Sequence, residues 1–148
     1  MPEFTITRQI GARVETVWEV LNDFGGIYKW SPGVTASKLT SEGAVAEGST
    51  RHCDFAPFGG VDERIERYEP RERLTVNLFE TFKLPISGAI ADFRIAPNDG
   101  GTELNVHYSY TPNMLGRFLR GYTDKQMRQG IGGMAKALQA ESERIHAA

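Results

Sequence analysis

Hydrophobic and polar positions alternate from the start of the chain. Phe4, Ile6 and Arg8 stand against Thr5 and Thr7, the period of a first strand. Val14, Val17, Trp18 and Leu21 then fall on one helical face, and Asn22-Asp23-Phe24-Gly25-Gly26 stops that helix. Ile27, Tyr28 and Trp30 form a short apolar cluster ended by Ser31-Pro32-Gly33. From Val34 the period changes to two. Strands are predicted over 34–39, 49–55, 61–68, 74–82, 86–95 and 102–110. Turn formers separate them: Ser41-Glu42-Gly43, Ala56-Pro57-Phe58-Gly59-Gly60, Glu69-Pro70-Arg71-Glu72 and Pro97-Asn98-Asp99-Gly100-Gly101. Strands joined by short turns pair antiparallel. With helices only near the two ends, the class is α+β, the helices gathered on one face of the sheet.

The last strand alternates most clearly, with Leu104, Val106, Tyr108 and Tyr110 on one face and Glu103, Asn105, His107 and Ser109 on the other. After Pro112 comes the terminal helix. Leu115, Phe118, Leu119 and Tyr122 give it a first apolar stripe, and Thr123 with Gln126 suits a capping box that would divide it into two segments. Further along, Met127, Ile131, Met134, Leu138 and Ile145 recur at helical spacing around Gly130, Gly132 and Gly133. Each glycine costs a helix up to about 1 kcal/mol relative to alanine. Three within one turn imply that another backbone approaches closely there, or that the helix closes over a cavity.

Composition narrows the picture. A chain of 148 residues can bury one core as a single domain, 1–148, without staples. A net charge of −2 and a pI near 5.9, with no basic tract, exclude a general attraction to nucleic acid. No apolar run has the length of a membrane span and the N-terminus lacks the apolar core of a signal peptide, so a soluble, cytoplasmic protein is expected. Cys53 is the single cysteine, which rules out an internal disulfide. No His-x-x-x-His occurs, and one cysteine cannot build a structural zinc site. Gly130-Ile131-Gly132-Gly133-Met134-Ala135 matches a dinucleotide-type glycine pattern in letters, but it lies inside a helix and not at a strand-to-helix turn. No metal or cofactor is therefore expected. A monomer or weak dimer is.

The strand, the helix carrying Val17-Trp18 and ending at Asp23-Phe24, and Trp30-Ser31-Pro32 form a familiar series. Gly48-Ser49-Thr50-Arg51-His52-Cys53, Glu63-Arg64-Ile65, Pro70 and the long terminal helix continue it. Together they resemble the polyketide cyclase/dehydrase branch of the START-like, Bet v 1-like (SRPBCC) superfamily, over nearly the whole chain. The resemblance implies a helix-grip fold: a curved antiparallel sheet wrapped around the C-terminal helix, with a short helical pair after the first strand and a cavity between sheet and helix. It carries no single activity, since relatives include cyclases, lipid carriers and hormone receptors.

Regular pairing across 56–60 puts Phe55 opposite Val61, Cys53 opposite Glu63, and Arg51 opposite Ile65 and diagonal to Glu63. Arg51, Cys53, Phe55, Val61, Glu63 and Ile65 then share a face, which the resemblance turns toward the cavity. Charges there must be paired or solvated. Arg51 and Glu63 are expected to form the polar end of an apolar pocket; the alternatives are a structural ion pair at the rim, or a bulge that turns Arg51 outward. The remaining expected lining is Val76, Leu78, Ile86, Val106, Tyr108 and Tyr110 from the sheet, and Tyr122, Gln126, Gly130, Ile131 and Met134 from the helix. Tyr108 and Tyr110 suit either orientation of a ligand or ordinary core packing. His52 and His107 point away by parity, and Asp92 is a reserve general base. The 56–60 loop suits a gate or a plain hairpin loop. Arg117, Arg120, Lys125 and Arg128 alternate with the apolar stripe, as in a membrane-surface segment or, better matched to so few charges, a solvated face.

Three functions compete. The first is binding of a hydrophobic small molecule of polyketide, lipid or isoprenoid type. The second is polyketide cyclisation and dehydration with Glu63, Arg51 and Tyr108 as the acid–base set. The third is a co-chaperone-like interaction module, which requires an exposed apolar patch that the outward strand positions do not supply.

Overall fold

The computed structural model describes residues 2–148. Strand β1 (Glu3–Ile10) leads into α1 (Val14–Asn22) and a 3-10 turn, Phe24–Lys29. Strands β2 (Val34–Leu39), β3 (Thr50–Phe55), β4 (Gly60–Glu69), β5 (Arg73–Phe82), β6 (Ile86–Asn98) and β7 (Gly101–Pro112) follow. Helices α2 (Met114–Phe118) and α3 (Arg120–Ala147) end the chain. The strands form one antiparallel sheet in the order β1-β7-β6-β5-β4-β3-β2. Bulges between Val34 and Ala36, Asp62 and Glu63, Ile65 and Arg67, and Ile86 and Gly88 interrupt the ladders. Such bulges bend strands and increase their twist, which lets a sheet this wide curl around a helix.

The period-two segments become strands because their apolar positions all reach one face. Ala89, Ala91, Phe93 and Ile95 of β6 and Leu104, Val106, Tyr108 and Tyr110 of β7 are buried together. Helix α1 closes one end of this core with Val17, Trp18, Val20 and Leu21.

Three local expectations are corrected. The β6–β7 connection is not a five-residue turn. Asp99 (φ 50°) and Gly100 (φ 79°) make a two-residue turn, and pairing runs down to Asn98–Gly101. Positive φ at both central residues matches the twist of the flanking strands, so the ladder continues to the turn. The β3–β4 register is also two residues tighter on β4 than regular pairing from Phe55 implies: Cys53 faces Val61, and Arg51 faces Glu63 directly. Phe55 ends β3 paired with Val34 of β2, beyond the last β3–β4 pair Asp54–Gly60, and its N–H closes the loop by donating to the Gly59 carbonyl at 2.9 Å. A slip of two preserves parity, so the same side chains stay on the inner face.

Finally, the terminal helix breaks at Leu119 (φ −106°, ψ 42°), ahead of Thr123. Thr123 caps nothing; it is buried, and its hydroxyl donates to the Gly116 carbonyl at 3.1 Å. The cap at this end is Asn113, whose side chain accepts from the Gly116 N–H at 2.9 Å and starts α2. Gly116 permits that seat, because a Cβ there would run into the Pro85 carbonyl.

Helix α3 is held firmly only in its second half. Ala135, Leu138 and Ser142 are fully buried. Arg8 Nε donates to Gln139 at 2.6 Å, and the Gly11 N–H to Glu143 at 2.7 Å. In the first half, Gln126, Gln129, Gly130 and Gly133 are exposed to solvent.

Candidate functional site

A cavity of about 420 Å³ lies between the inner face of the sheet and the first half of α3. That is the size range of small-molecule sites. Its walls are mostly apolar, and its polar end is built on β3 and β4. Arg51 and Glu63 occupy directly opposed positions there, and Arg51 Nε donates to Glu63 Oε1 at 2.8 Å. Nη1 donates to the Phe24 carbonyl at 2.9 Å, and the guanidinium carbon sits 3.9 Å from the centre of the Phe24 ring. The buried cation is thus satisfied on three sides. Cys53 Sγ donates a longer contact, 3.4 Å, to the same Glu63 oxygen. Burial, and then the Glu63 charge, push the Cys53 thiol far above its ordinary range, which makes it a poor nucleophile.

Tyr108 comes from β7, where pairing with β1 sets it opposite Phe4. Its ring packs 5.6 Å from that of Phe4 and 6.2 Å from that of Tyr110. Burial foremost, with Glu63 second, raises its phenol well above the usual value, so the hydroxyl stays protonated. Arg51 Nη2, Glu63 Oε2 and the Tyr108 hydroxyl take no hydrogen bond from the described residues, and all three side chains line the cavity.

Of the residues expected to line the cavity, Arg51, Cys53, Phe55, Val61, Glu63, Leu78, Ile86, Tyr108, Gln126, Gly130, Ile131 and Met134 do so. Ile65, Val76 and Val106 do not; they are packed into the core at 1%, 1% and 0% exposure. They point inward by parity, but the curved sheet has no open space at their level. Tyr110 does not line the cavity either. Its hydroxyl donates to Asp124 at 2.7 Å, and Asp124 is paired with Arg128 at 2.8 Å, so this tyrosine struts β7 to α3. Burial and that carboxylate push its phenol up to about 12. Tyr122 is 61% exposed and accepts from Gln126 at 2.8 Å on the outside of the helix. Asp92 lies on the outer face, pinned by Arg73, Arg94 and Thr75, away from the cavity. His52 is also outside, bonded to Asp62 and Asp54.

Sequence reasoning missed several walls. Ile27, Ser31, Pro32, Gly33 and Val34 form one side, and Ala91 and Phe93 part of the floor. The alternation of Ala91 and Phe93 with Asp92 was the available signal for the floor. The 27–34 segment has no periodicity to read. Ala56 lines the cavity from the β3–β4 loop. No backbone approaches the three helix glycines: a Cβ at Gly130, Gly132 or Gly133 would meet nothing within 4 Å, and Gly130 and Gly133 border the cavity. No group of side chains able to hold a metal ion occurs among the described residues.

The architecture is shared with solved structures at low sequence identity. ZhuI aromatase/cyclase from Streptomyces sp. R1128 superposes with a TM-score of 0.84 at 17% identity, over 97% of this chain and 94% of that one. TTHA0849 from Thermus thermophilus gives 0.81 at 17%, over 95% and 97%. Ara h 8.0201 gives 0.77 at 12%, over 95% and 97%. These place the fold among the helix-grip, Bet v 1-like proteins. No curated protein matches the sequence. A family model described as polyketide cyclase / dehydrase and lipid transport matches residues 1–139, and the chain belongs to that family.

Proposed function

We propose that the protein binds a mid-sized, largely apolar molecule of polyketide, lipid or isoprenoid type in the cavity, with a polar group of that molecule seated against Arg51, Glu63 and Tyr108. The observation that carries this reading is the set of unpartnered polar atoms at one end of an apolar cavity. Arg51 Nη2 and the Tyr108 hydroxyl offer donors, and Glu63 Oε2 offers an acceptor. Groups left open in a buried site are satisfied best by a ligand that complements them, such as a hydroxyl beside a carbonyl, or a carboxylic acid. Gly130 and Gly133 of α3 support the same reading, since they forgo helix stability where side chains would intrude on the space.

Mass spectrometry of the natively purified protein tests this. A co-purified apolar species, reduced in an Arg51→Met variant, is the expected result. Protein that remains free of ligand, and that takes up none of a panel of fatty acids, isoprenoids and aromatic polyketides, sinks the proposal.

A second reading is favoured by one feature of the same site. A protonated Tyr108 hydroxyl and the Glu63 carboxylate face one space, so the phenol can donate to a substrate carbonyl while Glu63 Oε2 takes a proton from the adjacent carbon. That is the acid–base pair needed for aldol cyclisation and dehydration of a polyketide. It predicts that Glu63→Gln and Tyr108→Phe lower turnover of a poly-β-ketone substrate by 10²–10⁴-fold, roughly the value of a positioned acid or base. Wild-type protein that binds such a substrate and leaves it unchanged eliminates this reading and leaves the first standing.

A further inference from the structure

We propose that the face formed by α2 and the first turn of α3 docks on an anionic lipid surface. Five large apolar side chains stand exposed there: Met114 at 80%, Leu115 at 60%, Phe118 at 84%, Leu119 at 41% and Tyr122 at 61%. Single exposed apolar residues are ordinary, but a contiguous group on one short stretch marks an interaction surface. On the strands, large apolar side chains are exposed only in part, Leu39 at 37% and Phe79 and Phe82 at 43% each; the most exposed contiguous group sits on the helices instead.

Charge selects the occupant. Arg117 and Arg120 lie within this stretch, Lys125 follows, and no acidic residue occurs from Asn113 to Thr123. The first acidic side chain, Asp124, is already engaged by Tyr110 and Arg128. Arg117 and Arg120 have no carboxylate partner among the described residues. A second copy of the chain docking symmetrically would bring these cations together without compensation. An anionic bilayer instead accepts apolar side chains at its interface and neutralises the flanking cations, as for amphipathic basic segments in general. Among the described residues no helix is long and apolar enough to cross a membrane, and the contact proposed is one of lying on the surface.

The position of the face gives the contact a use. Asn113 binds α2 to the β5–β6 loop, its N–H donating to the Pro85 carbonyl at 3.1 Å and its side-chain amide to the Leu84 carbonyl at 2.8 Å. Leu84 lines the cavity. Docking therefore sets the cavity wall beside the lipid, where an apolar molecule is exchanged without crossing water. The docking itself does not depend on what the cavity holds.

Co-sedimentation with sucrose-loaded vesicles tests it, comparing equimolar phosphatidylcholine and phosphatidylserine with phosphatidylcholine alone. The full chain is expected to bind the anionic vesicles at least about tenfold more tightly, with affinity falling as salt rises. Each basic residue near such a surface contributes about fivefold, so Arg117→Gln with Arg120→Gln should lose about 25-fold. Met114→Ser with Phe118→Ser should release the protein from both vesicle types. These four side chains are exposed, and circular dichroism with thermal unfolding confirms that the variants fold. Equal affinity for both vesicle types, no binding to either, or patch variants that bind like the wild type would overturn the proposal. So would a dimer in sedimentation equilibrium that Phe118→Ser dissolves while vesicle binding is absent.

Discussion

Arg51 and Glu63 face each other across the β3–β4 ladder at 2.8 Å, with side chains only 8% and 10% exposed. Removing one partner of a buried ion pair leaves an uncompensated charge and costs about 3–5 kcal/mol, whereas replacing both by apolar groups is often close to neutral. Arg51→Met and Glu63→Leu should each destabilise strongly in urea unfolding, and the double variant should recover most of that loss while still failing to bind ligand. Single variants that lose about 1 kcal/mol or less, the value of an exposed pair, would show the two charges to be solvated.

The helix glycines give a sharper separation. Gly132 borders neither the cavity nor any neighbour within 4 Å. Gly132→Ala should therefore raise stability by up to about 1 kcal/mol with ligand affinity unchanged. Gly130→Ala and Gly133→Ala should stabilise comparably but weaken binding, because their methyl groups occupy cavity space. Urea midpoints and a ligand titration on the three variants read both effects; a destabilised Gly132→Ala would reveal an unseen backbone constraint.

His52 gives the fold a dependence on pH. Its ring nitrogens lie 2.6 Å from Asp62 Oδ1 and 2.8 Å from Asp54 Oδ1, and hydrogen bonding to Asp62 first and Asp54 second raises its pKa above the usual 6.5. A raised folded-state value means the imidazolium is stabilised by folding. Its contribution is complete below the unfolded pKa of about 6.5 and is lost as pH climbs through the folded value. The thermal midpoint should fall over that window, and His52→Gln should flatten the slope. An NMR titration placing His52 below 6.5 would reverse the expected sign.

Cys53 is predicted to be inert. Its thiol is 1% exposed and held protonated by burial and the Glu63 charge. Ellman's reagent should modify it only on unfolding, at a rate set by the opening of the fold. Fast modification of native protein would place it at an open mouth.

Much of the fold was legible because strands announce themselves by parity. The alternation from Val34 to Tyr110 located β2 to β7, as that of Phe4 and Ile6 located β1, and the inner face survived the β3–β4 register error because a two-residue slip leaves parity intact. The cavity was less legible. Ile65, Val76 and Val106 share the inner face with Val61 and Leu78, and only sheet curvature decides which of them meets open space. Tyr110 was indistinguishable from Tyr108 until Asp124 appeared across the interface. The 27–34 wall carries no period at all. The exposed α2 ridge was readable as an apolar stripe, but a helical stripe usually means burial, and only the break at Leu119 turns this one outward.

The most direct test of ligand binding is an amide NMR titration with anilinonaphthalene sulfonate, an apolar ring system bearing one anionic group suited to Arg51. One-to-one saturable shifts at Val61, Ala91, Gly130 and Gly133, abolished in the Arg51→Met, Glu63→Leu double variant, are the predicted result. Shifts confined to the outer surface, or none that saturate, would mean that the space between sheet and helix is not a binding site.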